Sequence, residues 1–235
     1  MTPTLLQRLA SEVLGTAFLL AIVVGSGIMA ERLAGGNMAI ALLANTLATG
    51  AGLVALILTF APISAHFNPV VTLMAATQKE MPWRDVPAYV AVQCVGALAG
   101  VAAAHLMFGH ALFTASTKIR ASAGEMFAEA VATFGLLLVI ASVAKHRAAA
   151  LPYAVAAYIT AAYWFTASTS FANPAVTLAR AVTESFAGIR PADAPAFMLA
   201  QLAGVVAALV VIRFLFGPRV EDSVERDRGH AAFDK

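Results

Sequence analysis

Charged residues are scarce in this sequence, and cysteine is almost absent. Asp, Glu, Lys and Arg make up 12% of the 235 residues, whereas soluble domains carry about 25%. The single cysteine, Cys94, excludes an internal disulfide and a cysteine-based metal cluster. The formal net charge of +2 is too small and too dispersed to indicate nucleic-acid binding. No catalytic pair, cofactor-binding loop or metal-ligand cluster is visible, so we expect neither an enzyme nor a bound cofactor.

Apolar residues are abundant instead: they account for 60% of the chain, and the mean hydropathy is +0.81. They fall into six long runs, each near the about 20 residues that cross a bilayer as a helix. We predict an all-α membrane protein with spans at Leu9–Met29, Met38–Phe60, Val86–Phe108, Met126–Ala144, Ala149–Phe165 and Pro195–Phe216.

Lys and Arg are more frequent between the runs that would face the cytoplasm if both termini lie inside. This bias favours cytoplasmic termini. The first run is long enough to span and lacks a convincing cleavage region, so we expect no cleavable signal peptide. Together with the short loops, this suits a bacterial inner (plasma) membrane.

Two shorter apolar segments, Pro69–Thr77 and Pro174–Thr183, each follow an asparagine. An Asn-Pro pair is typical of a helix start, because Asn caps the helix and Pro occupies a first-turn position whose N–H has no partner. Neither segment is long enough to span, and exposed backbone is costly in lipid. We therefore predict two re-entrant half-helices that meet in a pore at the membrane midplane.

The two halves of the chain repeat one another. Glu12 of span one has a counterpart in Glu129 of span four, and Gln93 has one in Gln201, at nearly the spacing that separates the Asn-Pro pairs. Each half holds an odd number of full spans, so the second half inserts upside down as an inverted repeat. The predicted segments are 1–110 for the first repeat, 111–120 for the connecting loop, 121–217 for the second repeat and 218–235 for a cytosolic tail.

The sequence resembles the major intrinsic proteins, the aquaporins and glycerol facilitators, over nearly its full length. The segments that carry the resemblance are SEVLGTAFLL, HFNPVVTL, AVQCVGALAG, FAEAVATFGLL, FANPAVTLARA and AQLAGVVAAL. The resemblance implies six tilted helices around a pore and a homotetramer in the lipid bilayer with one pore per subunit. It also implies passive passage of small neutral solutes, with no metal and no nucleic-acid partner.

The resemblance assigns roles to matching residues. Asn68, Pro69 and Val70 and their counterparts Asn173, Pro174 and Ala175 would form the pore midplane. Glu12, Glu129, Gln93 and Gln201 would brace the re-entrant loops. His66 falls near the cytoplasmic pore mouth, where an ordinary hydrogen-bonded side chain is a better expectation than a pH gate.

The constriction of such a pore is expected at Ala48, Ala161, Ser170 and Val176, with Thr49 as an alternative to Ala48 and Tyr163 or Trp164 as alternatives to Ala161. Val176 stands where most members of the family place an arginine. We therefore expect a wide filter that lacks arginine, unless Arg180, one turn further on, swings toward the vestibule and partly restores the charge.

This filter predicts a passive channel for uncharged solutes larger than water, such as glycerol-like polyols or arsenous and antimonous acids. Bacterial members that lack the arginine are associated with arsenic detoxification. The alternatives are an ordinary water-selective aquaporin and, less favoured, a secondary active transporter, which would need a coupling carboxylate within the membrane.

Overall fold

The computed structural model describes residues 2–217. Within that range the regular structure is helical, with no strand. The helices are α1 (Leu5–Leu33), α2 (Met38–Phe60), α3 (Pro69–Thr77), α4 (Val86–Phe108), α5 (Ala123–His146), α6 (Leu151–Phe165), α7 (Pro174–Arg180) and α8 (Ala194–Phe216), with short 3₁₀ turns before α4 and α6. The predicted tail 218–235 lies outside the described residues.

Six of these helices are long and apolar enough to cross a membrane, which confirms the six predicted spans. Helix α1 is longer than predicted at both ends. It begins at Leu5 because Thr4 caps it: the Thr4 hydroxyl accepts from the backbone N–H of Gln7, and the Gln7 side chain accepts from that of Thr4. The same reciprocal pair, Ser122 with Glu125, starts α5.

The half-helices α3 and α7 are capped by Asn68 and Asn173 and carry Pro at their first positions, as their sequences predict. Helix α7 ends at Arg180, three residues before the predicted Thr183. The carbonyl oxygens of Arg180 and Ala181 accept instead from the backbone N–H groups of Ile189 and Ser116. These long-range bonds draw the chain out of the helix.

Within each repeat, one closely packed helix pair holds the spanning helices together. Helix α4 meets α1 at Gly96, where an added Cβ would collide with the carbonyl oxygen of Val13. In the second repeat α8 meets α5 at Gly204, where the obstacle is the carbonyl oxygen of Ala130. Small residues at such crossings let helix backbones approach closely in membranes. The equivalent contacts recur in both halves and leave a lumen between the pairs.

Candidate functional site: the central pore

The two capping asparagines bind each other's loops. The Asn68 side-chain amide donates to the carbonyl oxygen of Ala172 at 2.8 Å, and Asn173 donates to that of Phe67 at the same distance. Each side-chain oxygen accepts backbone N–H groups of the half-helix that its residue caps. An amide nitrogen carries two hydrogens. Each asparagine therefore keeps one N–H beyond the cross-loop bond, and both side chains line a central cavity.

The other four residues expected at the midplane stand behind the asparagines. Pro69 and Pro174 open the two half-helices. Val70 and Ala175 are fully buried, and their backbone N–H groups donate to the asparagine caps. The cavity lining includes both asparagines but not these four residues. They shape the helix starts and do not face the lumen.

We name the re-entrant loop before α3 the inner loop and the one before α7 the outer loop, after the orientation expected from the sequence. Glu12 binds the inner loop from within α1. Its carboxylate accepts the backbone N–H groups of His66 at 2.8 Å and Phe67 at 2.7 Å, and the side-chain amide of Gln93 at 2.8 Å. The Ser64 hydroxyl adds a fourth donor at 2.6 Å. Glu12 is wholly buried, so these donors replace the water that a buried carboxylate would otherwise need.

Glu129 binds the outer loop in the same way. It accepts the backbone N–H groups of Phe171 at 2.8 Å and Ala172 at 2.9 Å, and the side-chain amide of Gln201 at 2.6 Å. Gln201 also donates to Thr177 of α7, as Gln93 donates to Thr72 of α3. Both carboxylates thus lie where the sequence placed the braces.

These bonds hold a strained backbone. Phe67 and Ala172, the residues just before the asparagines, have φ values of 51° and 47°. Left-handed geometry costs a non-glycine residue about 1 kcal/mol or more. The geometry aims the carbonyl oxygen of each residue at the opposite asparagine. The backbone N–H groups of Phe67 and Ala172 donate in turn to Glu12 and Glu129, respectively.

The cavity between the half-helices has a volume of about 220 Å³. Four spanning helices each present a face of residues spaced four apart, which is one side of a helix. These residues are Leu19 and Val23 of α1, Thr49, Leu53 and Ile57 of α2, Leu136, Ile140 and Ala144 of α5, and Leu151, Val155, Ile159 and Tyr163 of α6.

The cavity lining also includes Thr49, Tyr163, Ser170 and Val176, which we name the outer ring after the orientation expected from the sequence. Ser170 and Val176 lie where the sequence placed them, but Ala48 and Ala161 do not line the cavity. Ala161 is exposed on the outer face of α6, since two residues of helix turn the chain by about 200° from Tyr163. The alternatives Thr49 and Tyr163 occupy these positions, and their hydroxyl oxygens lie 3.5 Å apart.

A model of the major intrinsic protein family matches residues 1–156 and 144–233. The chain belongs to this family. It is 51% identical to aquaglyceroporin AqpS of Rhizobium meliloti over 215 residues, which is 91% of this chain and 92% of that protein. Aquaporin NIP1-1 of Oryza sativa subsp. japonica is 34% identical over 147 residues, 61% of this chain and 51% of the relative.

A solved aquaglyceroporin from Plasmodium falciparum has the same fold, with a TM-score of 0.66 and 22% identity over 90% of this chain and 95% of that one. As a major intrinsic protein, the chain is a multi-pass transmembrane channel for small solutes and not an enzyme. In residues 2–217 no three His, Cys, Asp or Glu side chains are grouped to hold a metal ion.

The sequence does not decide whether the Arg180 side chain of this major intrinsic protein reaches the pore. It lines the cavity, although only 3% of its surface is exposed. Its Nε donates to the carbonyl oxygen of Ala187, and its guanidinium carbon lies 3.4 Å from the centre of the Phe171 ring. The cavity thus has a valine at position 176 and, one helical turn further along α7, a guanidinium in its lining.

Sequence reasoning missed Arg120, which holds the outer loop from the connecting segment. Its guanidinium donates to the carbonyl oxygens of Ser168 at 3.0 Å and Gly188 at 3.1 Å. It also lies over the ring of Phe171, at 5.0 Å from the ring centre. An arginine just before an apolar span is an ordinary interfacial residue by sequence, so its burial gave no local signal.

His66 lines the inner part of the cavity, together with Glu80. Its Nδ1 lies 3.1 Å from the hydroxyl of Thr72, and its ring is 5.4 Å from that of Tyr89. The hydrogen-bonded histidine expected at the inner mouth is thus present.

Proposed function

We propose that this channel conducts small uncharged polyhydroxylated solutes, with glycerol-like polyols as the main class, along with some water. The observation that carries the proposal is the outer ring. Thr49 and Tyr163 carry hydroxyl groups, and Val176 is apolar. Ser170 adds a third hydroxyl, which is buried and has no hydrogen-bond partner within the described residues. A polyol has hydroxyls along a carbon chain, so a ring with polar and apolar groups complements it better than a uniformly polar one.

The midplane favours neutral solutes. The positive ends of α3 and α7 meet there, and each asparagine keeps a free N–H for a passing oxygen. Oxygen lone pairs are stabilised at this point, and a cation or proton is destabilised. The relative AqpS is named an aquaglyceroporin, which agrees with passage of a polyol.

Metalloid acids form a second candidate class. Arsenous and antimonous acids are small neutral triols, and a valine at position 176 leaves room that an arginine side chain would fill. The same hydroxyl ring would accept them. The two classes share their recognition chemistry, so they must be separated by measurement.

Two alternatives predict different fluxes. A water-selective pore would need a narrow ring with strong donors. A secondary active transporter would need an intramembrane carboxylate free to exchange a proton, but Glu12 and Glu129 each hold two backbone N–H groups and a glutamine amide.

Stopped-flow light scattering on proteoliposomes separates these functions when water, glycerol and arsenous acid are compared in one preparation. We expect glycerol flux well above that of empty liposomes. Fast water flow without solute flux would exclude the wide pore, and accumulation driven by a proton gradient would exclude a passive channel.

Val176→Arg tests the ring itself. The added guanidinium should reduce glycerol flux more than water flux because it fills the space beside Tyr163 and Ser170. Ala161→Arg is a matched control on the exposed face of α6 and should preserve the ratio of the two fluxes in protein that assembles. Unchanged fluxes in Val176→Arg would remove Val176 from the constriction.

The assembly is proposed to be a homotetramer in a bacterial plasma membrane, with both termini cytoplasmic. Large apolar side chains are exposed on several spanning helices, including Phe18, Leu47 and Phe127, and such faces need lipid or another subunit. Light scattering in detergent measures the mass. In a Cys94→Ala background, an impermeant maleimide should label Thr117→Cys from outside the cell.

A further inference from the structure

We propose that Arg180 replaces the missing arginine of position 176 as the fixed positive charge of the outer constriction. This proposal deepens the proposed function, since it names the residue that keeps cations out of the same pore.

The spacing along α7 brings the two residues together. Val176 and Arg180 are four residues apart on this helix and share one face. Helical side chains lean toward the N-terminus, so the long Arg180 side chain reaches back toward the level of Val176.

The contacts of the guanidinium fix its direction. Nε is held by the carbonyl oxygen of Ala187, and one face of the group is stacked on the ring of Phe171. Within residues 2–217 the recorded side-chain hydrogen bonds engage Nε only, leaving the two terminal nitrogens without a protein acceptor. Because Arg180 also lines the cavity, these nitrogens have water or solute oxygens in the lumen as their partners.

The charge has no close counter-ion. None of the ion pairs recorded in the described part of the chain includes Arg180. The carboxylate whose field reaches it is Glu129, and this group is already occupied by three N–H donors. Arg120 adds a second positive charge, with its guanidinium carbon 5.0 Å from the centre of the same Phe171 ring. The Arg180 guanidinium therefore places a fixed positive charge in the wall of the pore, and the field of such a charge raises the energy of an entering cation.

The Arg180 guanidinium leaves a different pore width from that left by an arginine at position 176. A guanidinium that is anchored by Ala187 and stacked on Phe171 lies at the wall, so Val176 still leaves width for a solute larger than water. Charge and width are thus supplied by different residues one turn apart. The pore can exclude cations without narrowing to the diameter of water.

Arg180→Gln tests this inference, because glutamine keeps an N–H donor for Ala187 but removes the charge. In proteoliposomes we expect sodium and proton leak, measured with entrapped dyes under a clamped potential, to rise about tenfold, while glycerol still passes. Arg180→Lys should stay near the wild type at pH 7. Arg32→Gln, which changes an exposed outer arginine away from the cavity, is the control and should cause no leak.

The double variant Val176→Arg with Arg180→Gln returns the charge to the ring and should restore cation exclusion while lowering glycerol flux. If Arg180→Gln fails to assemble, Arg180→Lys decides. A lysine in this site loses its proton at high pH and an arginine does not, so leak should rise with pH more steeply in the lysine variant than in the wild type. A tight Arg180→Gln channel, or a lysine variant whose leak rises with pH no more steeply than that of the wild type, would overturn the proposal. Absence of glycerol flux in the wild type would instead overturn the proposed function.

Discussion

The inner and outer re-entrant loops are built on one plan but secured by different chemistry. In both, a buried glutamate accepts two backbone N–H groups and a glutamine amide, and an asparagine crosses to the other loop. Beyond that shared part, hydroxyls secure the inner loop. Ser11 donates to the carbonyl oxygen of Ser64 at 2.6 Å, and the Ser64 hydroxyl contacts Glu12 and Tyr89.

Cations secure the outer loop. Arg120 donates to the carbonyl oxygens of Ser168 and Gly188, and the guanidinium groups of Arg120 and Arg180 both contact the Phe171 ring. The inverted repeat thus duplicates the midplane, where both entrances meet the same solute. It differs toward the two mouths, where the outer end carries positive charge and the inner end carries His66 and Glu80.

The largest effect is expected where the loops are alike. Glu12→Gln and Glu129→Gln each turn an amide NH₂ toward backbone N–H donors that have no other acceptor. Each should lower the free energy of unfolding by about 3 kcal/mol or more, and the two losses should be similar. Thermal unfolding followed by fluorescence size-exclusion chromatography measures this.

Glu31→Gln on the exposed end of α1 is the control and should unfold like the wild type. A clear difference between the free energies of unfolding of Glu12→Gln and Glu129→Gln would contradict the equivalence of the two loops. It would show that the repeat is similar in geometry but not in energy.

The second effect separates the loops. Arg120→Met removes two charged hydrogen bonds, to the Ser168 and Gly188 carbonyls, and should cost about 3 kcal/mol. Ser11→Ala removes the neutral bond that Ser11 donates to the Ser64 carbonyl of the inner loop and should cost about 1 kcal/mol. Unfolding midpoints of the two variants in the same detergent give the comparison. Equal midpoints would mean that the cationic clamp adds no more stability than the hydroxyls.

The plan of the fold was predictable because its signals are local. Apolar runs give the spans, and an Asn-Pro pair with a short apolar segment gives each half-helix. The repeated Glu and Gln positions pointed to the braces, since a polar group inside a span needs a partner. The groups that these Glu and Gln side chains contact are indicated only by the family resemblance.

The wall of the pore was not predictable to the same degree. Helices α2 and α6 are apolar on nearly every side, so hydrophobic periodicity does not show which face meets the lumen. Ala48 and Ala161 were therefore placed one and two residues from the lining residues Thr49 and Tyr163. Arg120 acts through the carbonyl oxygens of Ser168 and Gly188, which are distant in sequence, so no local pattern indicates its role.

A third and smaller effect tests the register of the outer ring. Tyr163→Ala should widen the ring and raise glycerol flux several-fold relative to water, because the phenol and its contact with Thr49 are lost. Tyr153→Ala, which removes an exposed tyrosine at the inner end of the same helix, should leave the ratio unchanged. Stopped-flow measurements of both solutes decide the point. A ratio that does not respond to Tyr163 would place the constriction elsewhere.

The smallest effect concerns Lys118, which lies over the Phe186 ring and donates to the Phe186 carbonyl oxygen at 2.8 Å. Partial burial, reinforced by two nearby arginines, lowers the pKa of Lys118 to about 8. The charged groups that act on it are Arg120, Arg180, Glu31 and Glu184. Because the unfolded chain keeps this proton to about pH 10.4, the free energy of unfolding should rise with pH between these two values.

The same titration removes one positive charge from the outer mouth. Sodium leak through the wild type should therefore rise by about twofold between pH 7 and pH 9, a small change because Lys118 is partly exposed and screened. Lys118→Gln should show the higher leak at both pH values. Lys145→Gln is the inner counterpart, since Lys145 likewise donates to a backbone carbonyl, that of Phe216. If Lys145→Gln removed the pH dependence instead, the positive charge that guards this pore would lie at the inner mouth, and the contrast between the two loops would be reversed.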